Sequence, residues 1–275
     1  APDFDNTVVA LERSGRLLER VCNVFQNLAQ SDGDAAMLEL EAQMAPRLAA
    51  HRDAIYLDEA LFARIEQLHR QRDQLGLDEE SRRLLERYYT TFVRAGVTLP
   101  AQQRSRLRVI NQQLSVLRTQ FRQNVLQATR AAALHVQRLE LLDGLSAGQL
   151  GAAAEAARAR GLPGGWLLGL HNTTAQPLLA HLHDRSLRQQ LYRASVGRAR
   201  GGACDNRLVI AQLVQLRAER AQLLGFASHA AYILADENAG SPGAVQQMLQ
   251  QVAGAARARA ARAAAQLQQL IDAEA

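Results

Sequence analysis

The chain has 275 residues, of which 48% are apolar and 4% aromatic, with a formal net charge of +5. That length supports one large domain or two smaller ones. No run of about 18 apolar residues occurs, so there is no segment for a membrane-spanning helix and no membrane partner is expected. All 32 basic residues are arginine. They are interspersed with acids, as in RSGRLLERV (13–21) and DEESRRLLER (78–87), and no basic run or RNA-binding signature appears, so nucleic acid is not an expected partner.

The abundance of Ala, Leu, Gln and Arg favours helix over sheet. Asp5 or Asn6 is read as the cap of a first helix reaching about Ala29, with Val8, Leu11, Leu18, Val21, Phe25 and Leu28 on its apolar face, stopped by Ser31-Asp32-Gly33. A second helix starts near Asp34, and Pro46 is expected to bend or restart it. Asp58 caps a third helix carrying Leu61, Phe62, Ile65 and Leu68, closed by Gly76. Asp78 caps a fourth with Leu85, Tyr88, Tyr89 and Phe92, closed by Gly96. Pro100 opens a fifth, about thirty residues long, whose stripe of Leu107, Ile110, Leu114, Leu117, Phe121 and Leu126 ends near Thr129; at about 1.5 Å per residue it reaches roughly 45 Å.

The pattern then changes. Leu134, Val136, Leu139 and Leu141 partly alternate, as in a strand. Asp143-Gly144 is a turn signal, and Ser146 caps a short alanine-rich helix ending at Gly161. Trp166–Leu170 is a second strand candidate, able to pair with the first only if both pack on helices. Helix resumes after Pro177. Ser228 caps a short helix, and Ser241-Pro242 reads as an N-cap with proline at the first helical position. The fold class expected is mainly α: a multi-helical array with one small β element, about 133–142 and 166–170. A possible subdivision is a helical array (1–130), a small α/β insertion (131–183) and further helices (184–275).

The stretch from Asp184 to Phe226 holds the remaining signal. Asp184 caps one amphipathic helix and Asp205 or Asn206 the next. Between them, Gly201-Gly202 permits positive φ. The loop is rich in arginine and ends at a helix N-terminus, so it can be read as an anion-binding turn or as an ordinary helix-helix connection. Arg198, Arg200, Gly201, Gly202, Asp205 and Asn206 are the candidate structural or substrate-channel residues.

Several ordered segments carry a family resemblance. They are Phe4–Glu12, Ala54–Leu57 with Leu61-Phe62, Glu86–Tyr89 with Phe92–Gly96, and His171–Thr174 with Gln176-Pro177. The last are Arg198…Gly201-Gly202…Asp205-Asn206, and Leu216–Ala221 with Leu223–Phe226. Together they resemble the thimet-oligopeptidase-like zinc metallopeptidases, which include oligopeptidase A and the bacterial peptidyl-dipeptidases, over nearly the whole chain. The resemblance implies an intact protein that uses zinc held by a His-Glu-x-x-His helix, with the glutamate activating water, and that cleaves oligopeptides.

That helix is absent here. The histidines are His51, His69, His135, His171, His181, His183 and His229, and no two stand four apart. His181 and His183, two apart on an expected helix, point away from each other. No Gly-x-Ser-x-Gly elbow, P-loop or Rossmann signature occurs. Cys22 is read as a buried inert thiol and Cys204 as a loop thiol with neighbouring arginines. Tyr88, Tyr89, Tyr192 and Tyr232 are read as core-edge plugs with outward hydroxyls. Two unpaired cysteines fit a reducing compartment, so the cytoplasm is the expected location and the periplasm the alternative.

The helical, unstopped ending LQQLIDAEA suggests a chain cut within an architecture. The expectation is therefore the N-terminal, non-catalytic portion of a peptidyl-dipeptidase, walling one side of its substrate channel. Oligopeptides would engage it through a catalytic domain beyond these residues. No cofactor and no activity are expected of the 275 residues alone, and the protein is expected to be a monomer. The alternative is a self-standing helical interaction module.

Overall fold

A computed structural model describes residues 1–31 and 33–274, without the side chains of 172–176 and 274. Asp32, at the centre of the first expected stop, lies outside the described residues. So do the side chains of Asn172, Thr173, Thr174 and Gln176, which carry part of the family resemblance.

The chain is helix-dominated with one small sheet, as its composition and capping signals imply. A π-turn (Asp5–Val9) runs into α1 (Ala10–Arg13). Then follow α2 (Arg16–Ser31), α3 (Ala35–Tyr56), α4 (Glu59–Arg70), α5 (Glu79–Ala95) and α6 (Ala101–Ala131). Next come β1 (Leu134–Val136), α7 (Ala147–Ala159), β2 (Trp166–Leu168), α8 (Asn172–His181) and α9 (Arg185–Val196). The last are α10 (Arg207–Leu223), α11 (His229–Leu234) and α12 (Pro242–Glu274). The caps read from the sequence are formed except at the first helix, where neither Asp5 nor Asn6 stands at the N-cap, and at α10, where the Asn206 side chain makes no cap bond. Asp34, Asp58, Asp78 and Asp184 each accept a hydrogen bond from the backbone N–H three residues on, at 2.6–2.8 Å. Each such cap is worth about 1 kcal/mol. Ser146 and Gln149 make a reciprocal capping box.

Four expectations need correction. The first helix is not continuous: Ser14 is extended, Gly15 takes φ +73°, and the chain restarts as α2. Glycine tolerates that left-handed geometry without steric cost. As a result Leu17, Leu18, Val21, Val24 and Leu28 on α2 face solvent. Second, Pro46 does not restart a helix, because α3 runs through it. The carbonyl of Ala42, which loses its helical donor, is on an exposed residue and can be hydrated. Third, the first strand is short: Leu139–Leu142 forms a 3-10 turn, not strand. Only Leu134–Val136 pairs, antiparallel, with Leu168–Trp166. Fourth, α8 begins before Pro177 and ends at His181, leaving His183 outside the helix.

Helix α6 is the spine. One face buries Leu107, Ile110 and Leu114, with Ile110 and Leu114 packing on Val209 and Leu213 of α10. Another side packs along α3. A second cluster joins Val8, Phe62, Ile65, Leu68, Leu85, Phe92 and Val97 from the N-terminal turn, α4 and α5. A third gathers Val136, Leu142, Leu168, Leu170, Leu178 and Leu182 around the small sheet, together with Leu187 and Leu191 of α9. Burying one such leucine contributes roughly 1.5–3 kcal/mol, which explains how a two-stranded sheet, marginal alone, persists here.

Candidate functional site

The spine positions a cleft of about 1220 Å³. Its floor is α6, where Asn111, Leu114, Ser115, Arg118 and Arg122 recur on one face at helical spacing. One wall is α2 and α3, contributing Cys22, Phe25, Glu41, Arg52, Asp53 and Tyr56. The other is α10 and α11, contributing Leu213, Val214, Arg217, Arg220, Tyr232 and Ile233. Arg87 and Arg94 of α5 close one end, with Asp236 beyond α11.

Apart from Arg52, which lies over the Tyr56 ring at 5.5 Å, the arginines of this cleft fall into two groups. Those at the rim are paired. Arg122 bonds Glu41 at 2.5 Å and Arg87 bonds Asp236 at 2.7 Å. Arg94 donates to the Tyr232 carbonyl at 2.6 Å and lies 4.8 Å from that ring's centroid. Just outside the cleft, Arg106 makes a bidentate pair with Glu219 at 2.6 and 2.7 Å, tying α6 to α10. Arg118, Arg217 and Arg220 have no ion pair and no side-chain hydrogen bond among the described residues. The Nε atoms of Arg217 and Arg220 are buried and unpartnered, as is Nδ1 of His229. Arg220 lies 5.1 Å from the Tyr232 ring centroid.

The electrostatics follow. Burial, then the charges of Arg220 and Arg217, lower the pKa of Arg118. Burial lowers that of Arg220, against partial relief from Tyr232 and Asp53. His229 is pulled below its ordinary 6.5 by burial and by Arg220, Arg217 and Arg118. Burial pushes Asp53 up, opposed by the 2.9 Å hydrogen bond from Asn111 and by Arg108, Arg52 and Arg220. The cleft interior is thus a patch of positive potential with an apolar lining.

The six residues singled out in the sequence lie elsewhere. Arg198 donates to the Ser195 carbonyl (2.9 Å), Thr129 Oγ1 (3.3 Å) and the Leu170 carbonyl (3.2 Å), clamping α9 to the end of α6 and to the segment after β2. Asn206 is buried; it donates to the Phe121 carbonyl at 3.0 Å and accepts from Asn124 at 2.8 Å. Asp205 accepts from the Arg207 backbone and guanidinium. Gly201 is extended, Gly202 takes φ +65°, and Arg200 is exposed. None of the six lines the large cleft. Cys204 is half-buried, with Sγ 3.6 Å from Gln127 Oε1.

Other readings also shift. Cys22 is not buried but half-exposed on the cleft wall, because the apolar side of α2 is not covered. Tyr192 is 56% exposed and plugs nothing. Tyr88 does send its hydroxyl outward, onto Glu12, and burial with that carboxylate raises its pKa. His183 pairs with Asp143 at 3.0 Å on the surface. Among the described residues, no three His, Cys, Asp or Glu side chains converge to hold a metal ion. The residues present therefore do not fit a zinc site. Sequence periodicity shows Arg217 and Arg220 three apart beside the apolar stripe of α10, but that Arg118 lines the same cleft is set by how α6 and α10 pack.

Comparison with known proteins agrees with the resemblance. Residues 178–275 match the model of Peptidase family M3. The chain is 42% identical over all of its length to dipeptidyl carboxypeptidase of Salmonella typhimurium and 40% identical over 98% of its length to that of Escherichia coli. It is 28% identical over 98% of its length to oligopeptidase A of Escherichia coli. In each case the chain spans about 40% of the relative's length. On this sequence evidence residues 178–275 carry the match to Peptidase family M3, and the whole chain is similar to part of the bacterial dipeptidyl carboxypeptidases.

Proposed function

We propose that the intact protein is a zinc metallopeptidase that releases dipeptides from the C-termini of oligopeptides, and that these 275 residues form one wall of its substrate channel. The observation that carries the wall assignment is the cleft itself. Its 1220 Å³ exceeds the roughly 300–1,000 Å³ typical of small-molecule sites, and suits an extended peptide. Its lining mixes apolar side chains with fixed cationic ones. The relatives that match the whole chain at 40% identity or more are named dipeptidyl carboxypeptidases, which favours dipeptide release over internal cleavage.

In this reading the metal, which supplies an activated water when bound, is held by residues outside those described. The chain's own residues bind and orient the peptide. Leu213, Val214 and Ile233 contact apolar side chains, and the walls of α3 and α10 restrict entry to unfolded oligopeptides. The 275 residues alone are inactive, and the oligopeptide is their only expected partner. The two free cysteines suit the cytoplasm.

The test is to incubate the intact protein with a hexapeptide bearing a free or an amidated C-terminus and follow products by mass. Successive loss of dipeptides that stops on amidation is the expected result. Internal cuts indifferent to amidation would move the protein to the oligopeptidase A type.

A further inference from the structure

We infer that Arg118, Arg217 and Arg220 form a carboxylate-binding site in the cleft, and that its ligand is the C-terminal carboxylate of the peptide. This rests on the proposed dipeptide-releasing activity and names the group that would read the chain end.

Three observations support it. Arg217 and Arg220 stand one turn apart on α10, both lining the cleft, and Arg118 lines it from α6. None of the three makes an ion pair or a side-chain hydrogen bond among the described residues, and the positive charges of Arg220 and Arg217 lower the pKa of Arg118. The two buried Nε–H donors of Arg217 and Arg220 have no partner among the described residues. A buried, unmet donor on a charged group carries a desolvation cost of the order of 1–3 kcal/mol or more, which an incoming carboxylate removes.

The contrast with the neighbouring arginines matters. Arg106, Arg122 and Arg87 each hold a carboxylate of the chain. Asp53, whose charge acts on Arg220, is hydrogen-bonded to Asn111 and forms no ion pair among the described residues. Tyr232 backs Arg220 and Arg94 and limits how far either can swing. A guanidinium presents paired donors that match a carboxylate's two oxygens. Leu213 and Val214 next to them would receive the side chain of the last peptide residue.

The experiment uses the intact protein and two readouts. In the first, KM is measured for the hexapeptide with a free C-terminus, and turnover is scored for the amidated one, for wild type, Arg217→Gln and Arg220→Gln, with circular dichroism confirming the fold. Charge-assisted hydrogen bonds to a carboxylate are worth about 1.5–3 kcal/mol. Each variant should therefore raise KM for the free peptide about 10–100-fold, while the amidated peptide is turned over by none of the three proteins. In the second, binding of alanyl-alanine and of its amide to the metal-depleted protein is followed by calorimetry. The free dipeptide should bind wild type and lose that binding in Arg217→Gln, and the amide should bind neither. If the variants destabilise the protein while preference for the free carboxylate persists, the arginines pair with other carboxylates of the protein and the inference is overturned. If wild type cuts internally yet still prefers alanyl-alanine over its amide in an Arg217-dependent way, dipeptide release fails and the anion site stands. If alanyl-alanine and its amide bind alike, the site fails even where dipeptide release holds.

Discussion

The loop at 198–206 and the cleft beside α10 are both rich in arginine, yet they use it in opposite ways. In the loop the buried donors are engaged: Arg198 bonds three acceptors from three segments, and Asn206 spans α6 and α10, while Arg200 is exposed. In the cleft, Arg118, Arg217 and Arg220 line one cavity with no acceptor among the described residues. A motif compact in sequence has become a clamp, whereas residues 99 positions apart, Arg118 and Arg217, share one electrostatic patch. The difference teaches that unmet donors, rather than arginine density, mark where a ligand can add free energy.

Breaking the clamp should have the largest effect. Asn206→Ala leaves the part-buried Asn124 side chain without its acceptor and takes the second donor from the Phe121 carbonyl, which keeps its helical one. It should lower unfolding free energy by about 3 kcal/mol, read by urea denaturation, and a change below about 1 kcal/mol would show the contact to be dispensable. Gly202→Val meets nothing within 4 Å of the new Cβ, so its cost is that of holding a β-branched residue at φ +65°. That should be about 1–2 kcal/mol, and an unchanged midpoint would mean the loop adopts another conformation.

How much of this was legible follows from which interactions are local. The helices and their aspartate caps are local, so Asp34, Asp58, Asp78 and Asp184 could be placed from sequence. The same apolar periodicity that located α2 gave no information on whether its stripe is covered, and Val21 and Val24 are more than half exposed. Glycine at position 15 reads as an ordinary interior residue until its φ is seen. The carboxylate site needed tertiary contact between α6 and α10, which no spacing rule supplies.

Acid sharpens the comparison. His229 sits below its ordinary 6.5 because burial and then Arg220, Arg217 and Arg118 disfavour its charged form. The unfolded chain takes up a proton near pH 6.5 that the folded chain resists. Stability contributed this way is present above pH 6.5 and lost as pH falls towards the folded-state value. His69, depressed by burial against Tyr89 and by Arg72, acts in the same direction. Denaturation midpoints should fall between about pH 7 and pH 5, and less so in His229→Gln. Arg217→Gln should narrow the same window by raising the His229 pKa. An identical pH profile in both variants would mean the cleft charges are already neutralised.

The most direct measurement is the unfolding free energy of the intact protein, without peptide, for wild type, Arg198→Gln and Arg217→Gln. Arg198→Gln removes satisfied hydrogen bonds and should cost about 2 kcal/mol. Arg217→Gln removes a charge repelled by its neighbours and should cost nothing, or stabilise by up to about 1 kcal/mol. Equal losses in the two variants would show that Arg217 is held by the protein's own carboxylates, and would contradict the account of the cleft as a site awaiting the end of a peptide.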